Sequence, residues 1–186
     1  MKIKVCGLKF KSNILGVSKL EPDYMGFIFW ENSKRYVKGT TPNLTHTKIK
    51  KTGVFVNADF KKIREKANVH KLEAIQLHGQ ESPEFCNKIR NLGVEIIKAF
   101  SIDEYFNFYN LEKYDLCSDY FLFDTKGKSP GGNGVSFDWE ILRNYKYEKK
   151  FFLSGGIGFE SIDAIKKIKN LHLPLFCIDI NSRFEL

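Results

Sequence analysis

The sequence predicts one α/β domain over residues 1–186, built as a single (β/α)8 barrel of the TIM type. Three observations carry that prediction. Short apolar runs recur at fairly even intervals, helical signals lie between them, and the glycine clusters fall late in the chain. Eight runs are present, at 3–6, 24–30, 53–56, 74–77, 94–100, 120–123, 151–153 and 175–180. Several are continuous rather than alternating, as in strands of a parallel sheet covered on both faces.

The helical signals are local. Ser82-Pro83-Glu84 supplies an N-cap, a first-turn proline and a first-turn acid; Phe85, Cys86, Ile89 and Leu92 form the apolar stripe, and Gly93 ends it. Asp59 caps a second helix, with Phe60, Ile63 and Ala67 at helical spacing. A third spans 160–169, with Ile162, Ile165 and Ile168 inward and lysines outward. A doubly wound open sheet is the competing architecture, but no GxGxxG follows the first strand. The glycines cluster instead at Gly131-Gly132-Asn133-Gly134 and Gly155-Gly156-Ile157-Gly158, where phosphate-binding loops follow late barrel strands. Residues 181–186 are too few for an eighth helix, so the expected barrel either lacks its C-terminal helix or is completed by something else.

A composition of 42% hydrophobic and 15% aromatic residues, with 17 Phe, predicts a core packed with rings and excludes wholesale disorder. The net charge of +8 admits anionic partners. Its carriers recur in twos and threes (Lys48, Lys50, Lys51; Lys61, Lys62, Arg64; Lys149, Lys150; Lys166, Lys167, Lys169), which reads as solvated outer faces rather than a polybasic arm. The sharper reading is a field that draws in an anionic substrate. Cys6, Cys86, Cys117 and Cys177 form no CxxC or Cys/His spacing, which speaks against a zinc ribbon or redox motif; Cys86 reads as a small core residue. The N-terminus enters a strand at once, and no apolar run approaches the ~20 residues of a membrane span. The expectation is a cytoplasmic protein with reduced thiols and no metal, acting without membrane or nucleic acid.

Catalytic groups in such barrels sit at the C-terminal ends of strands. Those positions are Cys6, Asn57, His78, Asp124, the two glycine-rich turns and 179–182. Each also has a structural reading: Cys6 as a small buried hydrophobe, Asp124 as a turn residue or helix cap, His78 as a satisfied histidine, the glycines as tight turns. Together they place a thiol, a carboxylate, an imidazole and two anion nests on one rim. No His stands near Cys6 in sequence, and no rim position suggests an Asn or Asp to orient one, which speaks against hydrolysis. Proton transfer fits better: a thiolate removes a carbon-bound proton while a carboxylic acid donates to an oxygen. That chemistry asks for a depressed thiol pKa and a raised carboxyl pKa.

Several stretches then fall into one pattern. They are Lys4-Val5-Cys6-Gly7-Leu8, Gly26-Phe27-Ile28-Phe29, Ser33-Lys34-Arg35-Tyr36-Val37, Gly53-Val54-Phe55-Val56-Asn57 and Gln76-Leu77-His78-Gly79. Phe123-Asp124, the 131–134 turn before Phe137-Asp138-Trp139, Leu153-Ser154-Gly155-Gly156 and Asp179-Ile180-Asn181-Ser182 complete it. In this order the chain resembles the phosphoribosylanthranilate isomerase family of tryptophan biosynthesis.

The resemblance implies a cofactor-free Amadori rearrangement of a small phosphorylated substrate, by a monomer or homodimer. It implies Asp124 as general acid at the ribose ring oxygen and Cys6 as general base at C2′. Arg35 matches the family arginine near the anthranilate carboxylate, and His78 and Asp179 match pocket positions. Backbone N–H groups of Gly155, Gly156, Asn181 and Ser182 are the implied phosphate site. Two departures stand out. Asn133 replaces the usual Thr, and Arg183 replaces a usual Gly, where a side chain would either crowd the phosphate loop or help hold the phosphate. The family also continues past Glu185 into a last helix. The related histidine-pathway isomerase carries an aspartate at the end of its first strand, where this chain has Cys6. A non-catalytic phospholigand or nucleic-acid binder would leave the whole set unused.

Overall fold

Eight strands form where the apolar runs predict them: β1 (Lys2–Val5), β2 (Tyr24–Ile28), β3 (Lys50–Phe55), β4 (Ala74–Leu77), β5 (Glu95–Ile102), β6 (Tyr120–Thr125), β7 (Phe151–Leu153) and β8 (Leu175–Ile180). They pair in chain order, all parallel, into a closed barrel, and β1 meets β8 with Lys4 opposite Asp179. The structure, a computed structural model, describes residues 1–45, 47–125 and 138–185. The predicted turn at 131–134, with Asn133, and Phe137 lie outside the described residues.

Among the described residues four α-helices cover the strands: α1 (Lys11–Ser18), α2 (Phe60–His70), α3 (Pro83–Arg90) and α4 (Ile162–Asn170). Two predicted caps close as expected. Asp59 Oδ1 accepts from the Lys62 N–H at 2.7 Å, and Ser82 Oγ accepts from the Phe85 N–H at 3.2 Å. Cys86 and Ile89 face the core from α3, as their spacing predicts. On α4 the prediction fails at one residue. Ile165 and Ile168 are buried, but Ile162, in the first turn after the 310 segment Phe159–Ser161, is 49% exposed, since 3.6-residue spacing carries it to the edge of the stripe. Short 310 segments at Phe108–Tyr114 and Trp139–Asn144 stand between β5 and β6 and between β6 and β7. After β8 the described chain holds one 310 turn, Ser182–Phe184. No helix among the described residues is long and apolar enough to cross a membrane.

The larger core lies between the strands and their covering helices; a second cluster of Tyr24, Ala74, Ile97, Ala99, Leu122, Phe152 and Cys177 fills the barrel interior. Rings knit the former. Tyr145 sits edge-on to Phe123 and Phe151, with centroids 5.4 and 5.3 Å away.

The reading of lysines as solvated charge needs correction. Lys51 is buried and donates to the Pro42 carbonyl, and burial pushes its ammonium down to about 8. Lys98 is buried too, donating to the carbonyls of Leu77, Gly79 and Ala99 and to Glu81 Oε2 at 3.1 Å. Glu81 in turn accepts from the N–H groups of Asn57 and Gly79, both at 2.9 Å. This pair ties together the ends of β3, β4 and β5, and it fixes the loop that follows His78.

His70, at the end of α2, is buried against Phe29 with ring centroids 4.6 Å apart. Burial, then the charges of Lys66 and Lys51, push its imidazole down to about 4. The unfolded chain takes up that proton near ~6.5 and the folded one only near about 4. Stability from this site is therefore complete above ~6.5 and is lost as pH falls through the folded value. The urea midpoint is expected to drop between pH ~7.5 and ~5, and His70→Gln is expected to shrink that drop. An unchanged drop in the variant would assign the acid sensitivity to other groups.

Candidate active site

A cavity opens at the C-terminal end of the barrel, and the strand ends decide what lines it. Cys6 follows β1, His78 follows β4, Asp124 is next to last in β6, and Asp179 is next to last in β8. Arg35, Gly155, Gly156, Asn181 and Ser182 complete the predicted set on its walls, with Gln76 beneath. Asn57 is the exception. Its positive φ of 50° and its bond to the Gln80 N–H at 2.7 Å make it a staple between two loops, outside the cavity lining.

Two glycines set the shape. A Cβ on Gly26 of β2 would stand 2.5 Å from the Cys6 sulfur, so the bare backbone there is what leaves room for the thiol. At Gly155, with φ +92°, a Cβ would collide with Thr125 and lie 3.1 Å from Asp124 Oδ1. The Gly155-Gly156 turn therefore lies directly against the carboxyl. The N–H groups of Gly155, Gly156 and Ser182 donate to no described residue.

The acid and base candidates differ from the sequence expectation in two ways. Burial pushes the Cys6 thiol up, to about 11, with Lys4 pulling it back and Asp179 adding to the rise. The expected depression is absent because the sulfur lies among buried groups, where the charged form is costly. The second difference concerns histidine. His78 Nε2 lies 3.3 Å from Asp124 Oδ2, so a rim carboxylate does face a rim imidazole. That contact is in ion-pair range without hydrogen-bond alignment. Asp124 Oδ1 accepts from the Thr125 N–H at 2.9 Å.

Beneath them runs a buried polar chain. Lys4 Nζ donates to Asp179 Oδ2 at 2.6 Å and to Gln76 Oε1 at 2.8 Å, and Gln76 Nε2 meets His78 Nδ1 at 2.7 Å. Burial raises the Asp179 carboxyl against the opposing pull of Lys4, whose own ammonium is held charged well above its ordinary range. Asp179 Oδ1, Asn181 Oδ1 and His78 Nε2 are buried with no hydrogen-bond partner among the described residues. Orphaned polar atoms gathered on one cavity mark a place where a ligand completes the bonding.

Arg35 is also buried, and Glu185 grips it side-on, Oε1 on Nε and Oε2 on Nη2, both at 2.5 Å. That grip raises the guanidinium further and holds the Glu185 carboxyl below its usual range. Arg183, the departure from the usual glycine, reaches Glu160 at 3.5 Å and does not line the cavity.

A family profile described as N-(5'phosphoribosyl)anthranilate (PRA) isomerase matches residues 3–185. The chain belongs to the N-(5'-phosphoribosyl)anthranilate isomerase family. The enzyme of that name from Parabacteroides distasonis is 45% identical over 192 residues, spanning 100% of this chain and 86% of its own length. The solved phosphoribosyl anthranilate isomerase of Thermotoga maritima superposes with TM-score 0.77 at 28% identity, covering 100% of this chain and 89% of that one. Another, in complex with reduced 1-(o-carboxyphenylamino)-1-deoxyribulose 5-phosphate, gives 0.74 at 27% identity with the same coverage. Within this isomerase, sequence reasoning missed Lys4, Gln76 and Glu185. For the first two a signal existed: Lys4 is the lone polar side chain in the apolar run 3–6 and Gln76 the lone one in β4.

Proposed function

We propose that this chain catalyses the rearrangement of N-(5-phosphoribosyl)anthranilate to 1-(2-carboxyphenylamino)-1-deoxyribulose 5-phosphate, with Asp124 as general acid and Cys6 as general base. The observation that carries it is a thiol and a carboxyl on one cavity, beside an arginine already engaged with a carboxylate. Asp124 gives its proton to the ribose ring oxygen as the C1′–O bond breaks and the nitrogen lone pair forms the Schiff base. Cys6 takes the C2′ proton, and the freed electrons make the enolamine. Relaxation to the ketone returns a proton to C1′ from the thiol, while the C2′ hydroxyl proton restores Asp124. Only protons and electron pairs within the substrate move, so the sequence of steps calls on no cofactor.

Recognition follows from the remaining groups. Glu185 occupies the Nε–Nη2 edge of Arg35, which leaves the Nη1–Nη2 edge as a planar fork for the anthranilate carboxylate. The N–H groups of Gly155, Gly156 and Ser182, which donate to no described residue, suit the phosphate, with Asn181 beside them. Arg35→Lys is expected to raise KM about tenfold, roughly 1.4 kcal/mol, with a smaller effect on kcat, because lysine offers no fork. An unchanged KM would move the carboxylate elsewhere.

The reaction itself is tested by adding purified protein to N-(5-phosphoribosyl)anthranilate and following loss of the anthranilate adduct's fluorescence. The decay is expected to scale with protein. Preferential conversion of the bisphosphorylated substrate of the histidine-pathway isomerase would overturn this reading.

A further inference from the structure

The buried chain beneath the cavity does more than fill the barrel. We propose that Lys4 and Gln76 are positioning residues that lock His78 as its Nε2–H tautomer, so that the acid proton of the His78–Asp124 pair resides on Asp124. This rests on the isomerase reading above and names what prepares its acid.

The argument is one of donors and acceptors. An ammonium only donates, so Lys4 Nζ, 2.8 Å away, requires the oxygen of the Gln76 amide to face it. The amide nitrogen then faces His78 Nδ1 at 2.7 Å, and an NH2 group only donates. Nδ1 is thereby fixed as an acceptor, and the ring proton sits on Nε2, 3.3 Å from Asp124 Oδ2. Lys4 is itself anchored by Asp179 at 2.6 Å. Rotating the amide to accept an Nδ1–H would turn its NH2 onto the ammonium, donor against donor, in a fully buried site.

Now let the His78–Asp124 pair acquire one proton. On the imidazole, that proton would have to occupy Nδ1, which already accepts from Gln76. A carboxyl oxygen can take it and still accept from its N–H neighbour, Thr125 at Oδ1 or His78 at Oδ2, because it has two lone pairs where Nδ1 has one. The groups that face His78 are Gln76 on its own strand, Asp124 from β6, Lys4 and Cys6 from the β1 side, and Asp179 from β8. Of these, the amide is the one that contacts Nδ1 directly. A merely structural glutamine would hold the strands together, but it would have no bearing on which nitrogen carries the proton.

The test reads the tautomer first. In 15N-histidine-labelled protein at neutral pH, His78 (assigned by its loss in His78→Asn) is expected to show Nε2 protonated and Nδ1 bare. Gln76→Glu keeps the shape and still accepts from Lys4, but it invites a proton onto Nδ1. It is expected to show Nδ1 protonated and kcat down about 10²-fold, with KM changed less than about threefold, the size of a lost acid. A wild-type His78 with Nδ1 protonated overturns the lock. So does a Gln76→Glu enzyme with a protonated Nδ1 and undiminished kcat. Should Gln76→Glu not fold, the wild-type spectrum still decides. Failure of the isomerase reading shows separately, as wild-type protein that leaves N-(5-phosphoribosyl)anthranilate unconverted whatever its tautomer.

Discussion

Asp124→Asn is expected to lower kcat by about 10²–10⁴-fold while KM changes little, the range for losing a well-placed general acid. The substitution is isosteric and removes the carboxyl assigned as the acid. Its structural cost is small but not zero. Oδ1 accepts from the Thr125 N–H, and on the tautomer proposed above Oδ2 faces the His78 Nε2–H. An asparagine accepts from one and must point its NH2 at the other, so about 1–3 kcal/mol of stability should go as well. Steady-state kinetics beside a thermal unfolding curve separates the two effects. Turnover within about tenfold of wild type would remove Asp124 from the acid role.

Much of this was legible in the sequence because barrel physics writes it there. Eight strands covered on both faces must be short and apolar, and all eight observed strands overlap the eight runs. Asp59 and Ser82 announce helix starts because a cap needs a short acceptor three residues before an unpaired N–H. α1 was illegible for the converse reason: its N-terminus, at Phe10, has no side-chain cap, and Ile14 is its one buried residue. β3 begins at Lys50, three residues before its predicted start, because two lysines read as surface. Lys50 is in fact paired with Glu95 across the barrel mouth opposite the site, and Lys51 is buried.

The site divides along the same line. Its rim residues are legible one by one, since each ends a strand. What links them is not. The pairing of His78 with Asp124 joins residues 46 apart in sequence, and Lys4–Asp179 joins residues 175 apart. No spacing rule connects such partners; only closure of the barrel between β1 and β8 sets Lys4 beside Asp179. The thiol's high pKa was invisible for a related reason, since burial is a property of the assembled barrel rather than of the motif around Cys6.

That pKa shapes the last expectation. Cys6→Ser should cost about 10²–10⁴-fold in kcat, because an alcohol in the same place yields its proton far less readily than a thiol. The fold should be untouched: the smaller oxygen fits the space that Gly26 leaves for sulfur. The pH dependence makes the assignment sharper than the size of the loss. The base works as thiolate, and burial holds the free thiol up at about 11, so the competent form gains population as pH rises. In wild-type enzyme, kcat/KM, which reports groups of the free enzyme, is therefore expected to climb through ~pH 8.5, where an ordinary thiol would already be levelling off. Lys4 limits how far the climb must go, since its ammonium favours the thiolate against both burial and Asp179. In Cys6→Ser the same climb should vanish along with the activity. A serine variant that keeps the alkaline limb would mean the limb belongs to another group, and Cys6 would then lose the role of base even if turnover were reduced.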